Sequence, residues 1–282
     1  MTYFIAEVSS NHGNDLERCK EFIDCASDIG CDAVKFQLFR IEQLFSSEIL
    51  EKSKNHRDRK SWELPEEYIP LLYEHSKSRG IKFSCTPFYL SAVDLLDDYV
   101  DFLKIASYEL LWDSLIEKCS NTSKPLILST GMATIPEILH AKEIAHKNNC
   151  TDLTFLHCNS SYPTPLRDAN LSAIQTIRDK TGCNVGWSDH TVSPSVIHRA
   201  IHKWNASIIE FHLDLDKKGE EFSSGHCWLP KEIEVVIKEV REGIDADGHG
   251  NKEPSDSEIA DRDWRADPTD GLRPMKKIRS SF

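Results

Sequence analysis

Apolar runs of four to six residues recur along the chain, each followed by a longer stretch whose apolar positions return every three or four residues. The short runs cover 3–7, 33–37, 82–86, 102–105, 126–129, 153–158, 184–188 and 207–211. They are too short for ordinary helices, which suits strands buried on both faces of a parallel sheet. Helical periodicity predicts helices over 15–29, 65–79, 91–97, 111–119, 134–147, 171–181, 195–204 and 230–244. Some ends are readable. Thr134 followed by Pro136 and Glu137 is an N-terminal capping signal, and Gly80 after Arg79 is a stop. Eight strand-then-helix cycles predict an α/β fold, a (β/α)8 TIM barrel over 1–245, with a doubly wound open sheet as the alternative.

Two stretches fall outside the cycle. Residues 40–62 form a long connection after the second strand and include a basic cluster at 52–60. A mobile lid over a site and a solvated charged loop both fit it. Residues 246–282, rich in Asp, Gly, Pro and Arg, are expected to be a C-terminal extension rather than a separate domain.

Composition narrows the partners. With 34 Lys plus Arg against 46 Asp plus Glu, the formal net charge is −12, which disfavours nucleic acid. At 39% hydrophobic and 28% charged residues, the chain has the apolar mass for a core and is not a disordered polymer. No apolar run approaches the ~20 residues of a membrane-spanning helix. The opening residues fit no secretory signal, so a cytoplasmic location is expected. Nine scattered cysteines without a Cys-x-x-Cys pair read as reduced packing thiols.

In a barrel, chemistry sits at the carboxyl ends of the strands. Those ends carry Glu7; Lys35 and Gln37; Thr86; Lys104, Ser107 and Glu109; Ser129, Thr130 and Gly131; 157–162 including Ser160 and Tyr162; Ser188, Asp189 and His190; and Glu210 and His212. Two inward lysines, Lys35 and Lys104, call for a countercharge. That means an anionic ligand, with the hydroxyls adding hydrogen bonds, or else barrel carboxylates. His190 and His212 end neighbouring strands and can share a divalent ion, its remaining positions filled by water, Glu7 or Glu210 and substrate oxygens, which suits Mn²⁺ or Mg²⁺. His226-Cys227-Trp228 reads as packing ahead of the last helix, with a metal or thiol site as the alternative. No phosphate-binding glycine loop, dinucleotide fingerprint, zincin pair or nucleophile elbow occurs in the sequence.

At these residues the chain resembles the sialic acid synthase (N-acetylneuraminate synthase) family. The segments that carry the resemblance are Ile5-Ala6-Glu7 with Asn11-His12, Lys35-Phe36-Gln37, Thr86-Pro87-Phe88, Lys104-Ile105-Ala106-Ser107 and Ser129-Thr130-Gly131-Met132. His157-Cys158, Ser160-Ser161-Tyr162-Pro163 and Gly186-Trp187-Ser188-Asp189-His190 complete them. The resemblance implies a metal-dependent transferase that condenses phosphoenolpyruvate with a sugar aldehyde such as N-acetylmannosamine, giving a 2-keto-3-deoxy sugar acid and phosphate. It further implies that Lys35, Thr86, Lys104, Ser107, Ser129, Ser160 and Ser188 hold phosphoenolpyruvate, and that Glu7, Gln37 and Tyr162 face the acceptor. His190 and His212 would bind the metal, and Glu7 and Glu109 would handle protons.

The chain also departs from that pattern. Where the family carries a Gly-Pro-Asp-His segment whose Asp meets the acceptor, this sequence reads Gly219-Glu220-Glu221-Phe222-Ser223-Ser224-Gly225-His226. The resemblance covers the barrel domain only, and the family's C-terminal antifreeze-like domain is expected to be lacking; Arg265 or Arg273 of the extension is the candidate to reach a sugar in its place, and a homo-oligomer stays open. Two other readings compete: a sugar- or phosphate-binding barrel without turnover, and a Schiff-base aldolase using Lys35 or Lys104.

Overall fold

The computed structural model describes residues 2–282, which cluster into two compact units, one ending at Glu242 and the other spanning Gly243–Phe282. In the first unit the alternation closes into a barrel. Strands and helices follow as β1 (Tyr3–Glu7), α1 (Leu16–Asp28), β2 (Ala33–Leu38), α2 (Ile41–Leu44), α3 (Ser47–Lys52), α4 (Lys54–Asp58), α5 (Tyr68–Arg79), β3 (Lys82–Pro87), α6 (Leu90–Asp97) and β4 (Phe102–Ile105). The order continues with α7 (Asp113–Ser120), β5 (Leu126–Ser129), α8 (Ile135–Lys147), β6 (Leu153–His157), α9 (Ala173–Thr181), β7 (Asn184–Asp189), α10 (Pro194–His202), β8 (Ile208–Leu213), β9 (Cys227–Trp228) and α11 (Pro230–Asp247). All neighbouring strands are parallel, and β1 pairs with β8 to close the sheet. The open-sheet alternative is thereby excluded, and the (β/α)8 TIM barrel stands.

The helices form where expected, for physical reasons visible in the side chains. On α1, Cys19, Phe22, Ile23 and Ala26 are buried, the three-and-four spacing of a helix face packed on a sheet. Asp15 caps it by accepting from the backbone N–H groups of Glu17 and Arg18. Thr134 and Glu137 make the expected capping box on α8, and Gly80, at φ +69°, ends α5 in the left-handed conformation.

Period-two alternation divides the barrel interior into layers. Low in the barrel, Ile5, Ala33, Phe102, Ile127 and Leu156 form an apolar plug with Tyr3 and Ile208. Two residues further along the same inward faces the side chains turn polar: the charged Glu7, Lys35 and Lys104 follow Ile5, Ala33 and Phe102, and the hydroxyl of Ser129 follows Ile127.

Three local differences from the expectations matter. The eighth strand extends to Leu213, so His212 lies inside it. A ninth strand, Cys227–Trp228, pairs with β8 and sets Cys227 against His212. Both of its residues are buried, but the packing reading of this segment does not extend to His226, which opens on the cavity described below. The third is 40–62, which is largely helical. Phe39, Ile41 and Phe88 form a small core there, packed by Leu44, Phe45, Leu50 and Trp62, so part of the stretch is apolar and packed rather than a solvated loop.

The unit Gly243–Phe282 holds two short helices, α12 (Asp256–Ile259) and α13 (Lys276–Arg279). Arg279 grips both carboxylate oxygens of Asp270 at 2.5 and 2.8 Å, and Trp264 meets Phe282 edge-on at 5.3 Å between ring centres. Arg265 Nε donates to Arg262 O at 2.8 Å. Among the described residues no helix is long and apolar enough to cross a membrane, and all nine cysteines are free thiols.

Candidate functional site

At the carboxyl ends of the strands lies a cavity of about 740 Å³. Of the strand-end residues singled out above, Glu7, Lys35, Gln37, Thr86, Lys104, Ser107, Glu109, Ser129, Tyr162, Ser188, His190 and His212 all line it. Ser160 stands behind this wall, against Gly131.

Strand register explains the convergence. Glu7 is in register with Lys35 on one side and with His212 on the other, while Ser188 is in register with Glu210. Residues in register on adjacent parallel strands point to the same face, so β1, β2 and β8 turn Glu7, Lys35 and His212 inward together, while Ser188 and Glu210, in register with Ile5, face inward one step earlier along the strands.

The floor is a buried ionic array. Lys35 and Lys104 are each 2% exposed, Glu7 1% and Glu210 3%. Lys35 pairs with Glu7 and donates to Thr86 Oγ1 at 3.1 Å. Lys104 lies 3.3 Å from Glu210 Oε1, and Glu210 Oε2 is 3.8 Å from Lys35. Ser188 Oγ donates to Glu210 Oε1 at 3.2 Å, and Gln37 Nε2 donates to Glu7 Oε1 at 2.8 Å. Two carboxylates therefore meet the two lysines. Of the two countercharges the sequence left open, barrel carboxylates are present, and lysine charge by itself does not demand an anion.

The environment sets the protonation of each group. Burial pulls Lys35 down, but Glu210 and Glu7 outweigh it and hold the ammonium above its usual range. At Lys104 burial wins over Glu210, and the ammonium titrates below its usual range. Glu210 is buried too, yet Lys104 and Lys35 keep it a carboxylate, well below the ordinary value. Burial pushes the Glu109 carboxyl up to about 7, and its Oε2 finds no hydrogen-bond partner among the described residues.

One wall is a hydroxyl cradle. Gly131 N donates to Ser107 Oγ at 3.1 Å, and Ser107 Oγ lies 3.2 Å from Cys158 Sγ. A Cβ at Gly131 would run into Ser160 Oγ and Ser107 Oγ, so a side chain here would fill the cradle. Ser160 Oγ is buried and has no partner among the described residues.

The opposite wall is a histidine cluster. His190 and His212 stand 5.3 Å apart between ring centres, and Tyr162 covers His190 at 4.2 Å. His190 Nδ1 meets Asn159 O at 2.7 Å, and burial lowers its pKa to about 3. Two residues outside the expected set join them. Glu221 Oε2 is 2.9 Å from His212 Nδ1 and 3.4 Å from His226 Nε2. They sit in the irregular segment between β8 and β9, where no periodicity marks an inward position; the departure of 219–226 from the family pattern and the His226-Cys227 pair were the available signals. His56, Arg59 and Trp62 of the 40–62 segment line the mouth, with the Arg59 guanidinium over the Trp62 and Phe45 rings at 5.3 and 5.7 Å.

Comparison with known proteins agrees with this geometry. The NeuB family profile matches residues 22–252. An uncharacterised protein of Methanocaldococcus jannaschii is 39% identical over 260 residues, covering 91% of this chain and 75% of that one. The N,N'-diacetyllegionaminic acid synthase of Legionella pneumophila is 34% identical over 272 residues, covering 91% of this chain and 76% of that one. The crystal structure of the N-acetylneuraminic acid (sialic acid) synthetase of Leptospira borgpetersenii, in complex with citrate, superposes with a TM-score of 0.81 at 34% identity, covering 92% of this chain and 90% of that one. With its barrel closed and a profile match over most of its length, this chain belongs to the NeuB family.

Proposed function

We propose that the protein condenses phosphoenolpyruvate with a sugar aldehyde, N-acetylmannosamine-like or a related aldose, to give a 2-keto-3-deoxy sugar acid of the nonulosonate class and inorganic phosphate. The observation that carries this reading is the buried array of Lys35, Lys104, Glu7 and Glu210 opening onto a hydroxyl cradle on one side and a histidine cluster on the other. Relatives named as legionaminic, pseudaminic and sialic acid synthases support it.

In this reading Lys35 and Lys104, with Thr86, Ser107, Ser129, Ser160 and Ser188, receive the carboxylate and phosphate of phosphoenolpyruvate. The orphaned Ser160 hydroxyl and the space kept open at Gly131 suit oxygen-rich ligand groups. Lysines already neutralised by carboxylates bind an anion less strongly than bare ones, so the hydroxyls and the Gly131 cradle carry the larger share of the selectivity. Gln37, Tyr162 and Glu7 face the acceptor, with Arg59 and Trp62 at the entrance.

Imidazoles beside carboxylates are a donor set that fits a divalent ion, Mn²⁺ or Mg²⁺, with His190 and His212 to hold it. When bound, such an ion supplies Lewis-acid polarisation of the aldehyde oxygen. Phosphoenolpyruvate C3 forms the new bond to the aldehyde carbon, water adds at C2, and the bond from C2 to the phosphate oxygen breaks to release phosphate. The aldehyde oxygen gains one proton, and the water loses two, the first as it adds at C2 and the second, taken up by the departing phosphate, as the C2 hydroxyl becomes the ketone. In this reading Glu109, its carboxyl raised by burial to about 7, and Glu7 handle the proton given to the aldehyde oxygen and the proton taken from the attacking water.

Calorimetry of phosphoenolpyruvate with and without Mn²⁺ tests the reading before the acceptor is known. Binding that is strengthened by metal and lost in Lys104→Ala is the expected result, followed by phosphate release in an acceptor screen. Absence of binding to folded protein overturns it. Borohydride trapping separates the Schiff-base alternative, to which the lowered Lys104 pKa lends its one supporting feature: an imine on Lys104 would be reduced and add mass.

A further inference from the structure

The loop between β8 and β9 brings donors to the histidine cluster that the strand ends do not supply. Glu221 precedes the short 3-10 turn Phe222–Ser224, and His226 precedes β9. One donor atom from each of His212, Glu221, His226 and Cys227 lies within 4.8 Å of the other three. The Glu221 Oε2 separations are 2.9 Å to His212 Nδ1 and 3.4 Å to His226 Nε2. Around an ion with bonds of ~2.1 Å, adjacent donors stand ~3.0 Å apart in an octahedron and ~3.4 Å apart in a tetrahedron. The two Glu221 separations fall in that range.

Glu221 is also held in place. Its N–H donates to Asn11 Oδ1 at 2.9 Å and its Oε1 accepts from Ser9 Oγ at 2.5 Å, which leaves Oε2 directed at the two imidazoles. Such outer contacts fix a metal-binding carboxylate. Cys227 Sγ is taken by Asn11 Nδ2 at 3.5 Å, and His226 is 4% exposed, with Nδ1 unpartnered among the described residues.

We propose that Glu221 and His226 join His190 and His212 as ligands of a three-histidine, one-carboxylate site for a first-row transition-metal ion, with the open positions facing the cavity. The inference rests on the metal-dependent reading above and adds to it which residues of this chain bind and which ions they select. Several imidazoles with a single carboxylate favour Fe²⁺, Co²⁺ or Zn²⁺ over Mg²⁺.

Cobalt titration tests binding without any turnover. The protein, freed of metal with a chelator, is titrated with Co²⁺ and followed by its visible ligand-field bands, with Mg²⁺ as competitor. The expected result is one Co²⁺ per chain, undisturbed by a hundredfold excess of Mg²⁺. His226→Ala and Glu221→Gln should each weaken it more than about 100-fold, beyond the ~10–100-fold of an outer-shell change. Melting curves of the metal-free variants report folding, and the near-isosteric Glu221→Gln guards against a collapse of the loop in His226→Ala. If both folded variants bind Co²⁺ within tenfold of wild type, the proposal fails while the reading with His190 and His212 survives. If wild type binds no Co²⁺, both fail.

Discussion

Lys104 Nζ lies 3.3 Å from Glu210 Oε1, on strands β4 and β8, with both side chains almost wholly buried. Glu210 also approaches Lys35 at 3.8 Å. One carboxylate on β8 thus helps neutralise both lysines at the floor of the cavity. Glu210→Ala would leave buried ammonium charge without its partner, at a cost of about 3–5 kcal/mol. Urea unfolding measures this; a change below ~0.5 kcal/mol would mean that the lysines are neutral in the folded protein.

Glu109 gives a pH signature. Its carboxyl is raised by burial from 4.5 to about 7. The folded state thus holds the proton more tightly than the unfolded one. The stability this confers is complete below about pH 4.5 and is lost as pH rises through about 7. The loss is at most about 3 kcal/mol. In Glu109→Gln that decline should vanish, so the difference in unfolding free energy between the two proteins should slope across pH 4.5–7. Parallel curves would show that the Glu109 carboxyl is ordinary.

Gly131 keeps the cradle open. In Gly131→Ala the new methyl group must turn the Ser160 and Ser107 side chains away. A rotamer change of two serines is tolerable for folding, so the melting temperature should hold within a few degrees while phosphoenolpyruvate binding falls at least about tenfold, the equivalent of one or two lost hydrogen bonds. Calorimetry with unchanged affinity would remove the cradle from the substrate site.

Asp189 carries a structural load beside the site. It accepts from Trp187 Nε1 at 3.0 Å and from Trp228 Nε1 at 2.9 Å, and it is wholly buried. Asp189→Ala strands two buried indole N–H groups and should cost about 3 kcal/mol. Asp189→Asn, which keeps one acceptor, should cost less. Equal losses in denaturant unfolding would argue against the bridging role.

Much of the layout is legible along the chain. Strands with a period of two, helices with a period near 3.6 and their caps are local properties of the backbone, so the barrel, its strand ends and the cavity-lining Glu7, Lys35, Lys104, Ser129 and His190 follow from position alone. Strand limits slipped by one or two residues, as at β8, because apolar content fades gradually while pairing ends at a particular hydrogen bond. The helical packing of 40–62 was less legible, since its small core is completed by Phe88 from another part of the chain.

The order of elements and the inward face of each strand are written along the chain, because side-chain direction follows from the local repeat. Only the tertiary structure decided which inward residues meet. Closing β1 on β8 set Glu7 level with His212, Glu210 reached both lysines, and a loop without periodicity delivered Glu221 and His226 to the histidines. Those contacts depend on register and closure around the barrel, which no stretch of chain encodes alone.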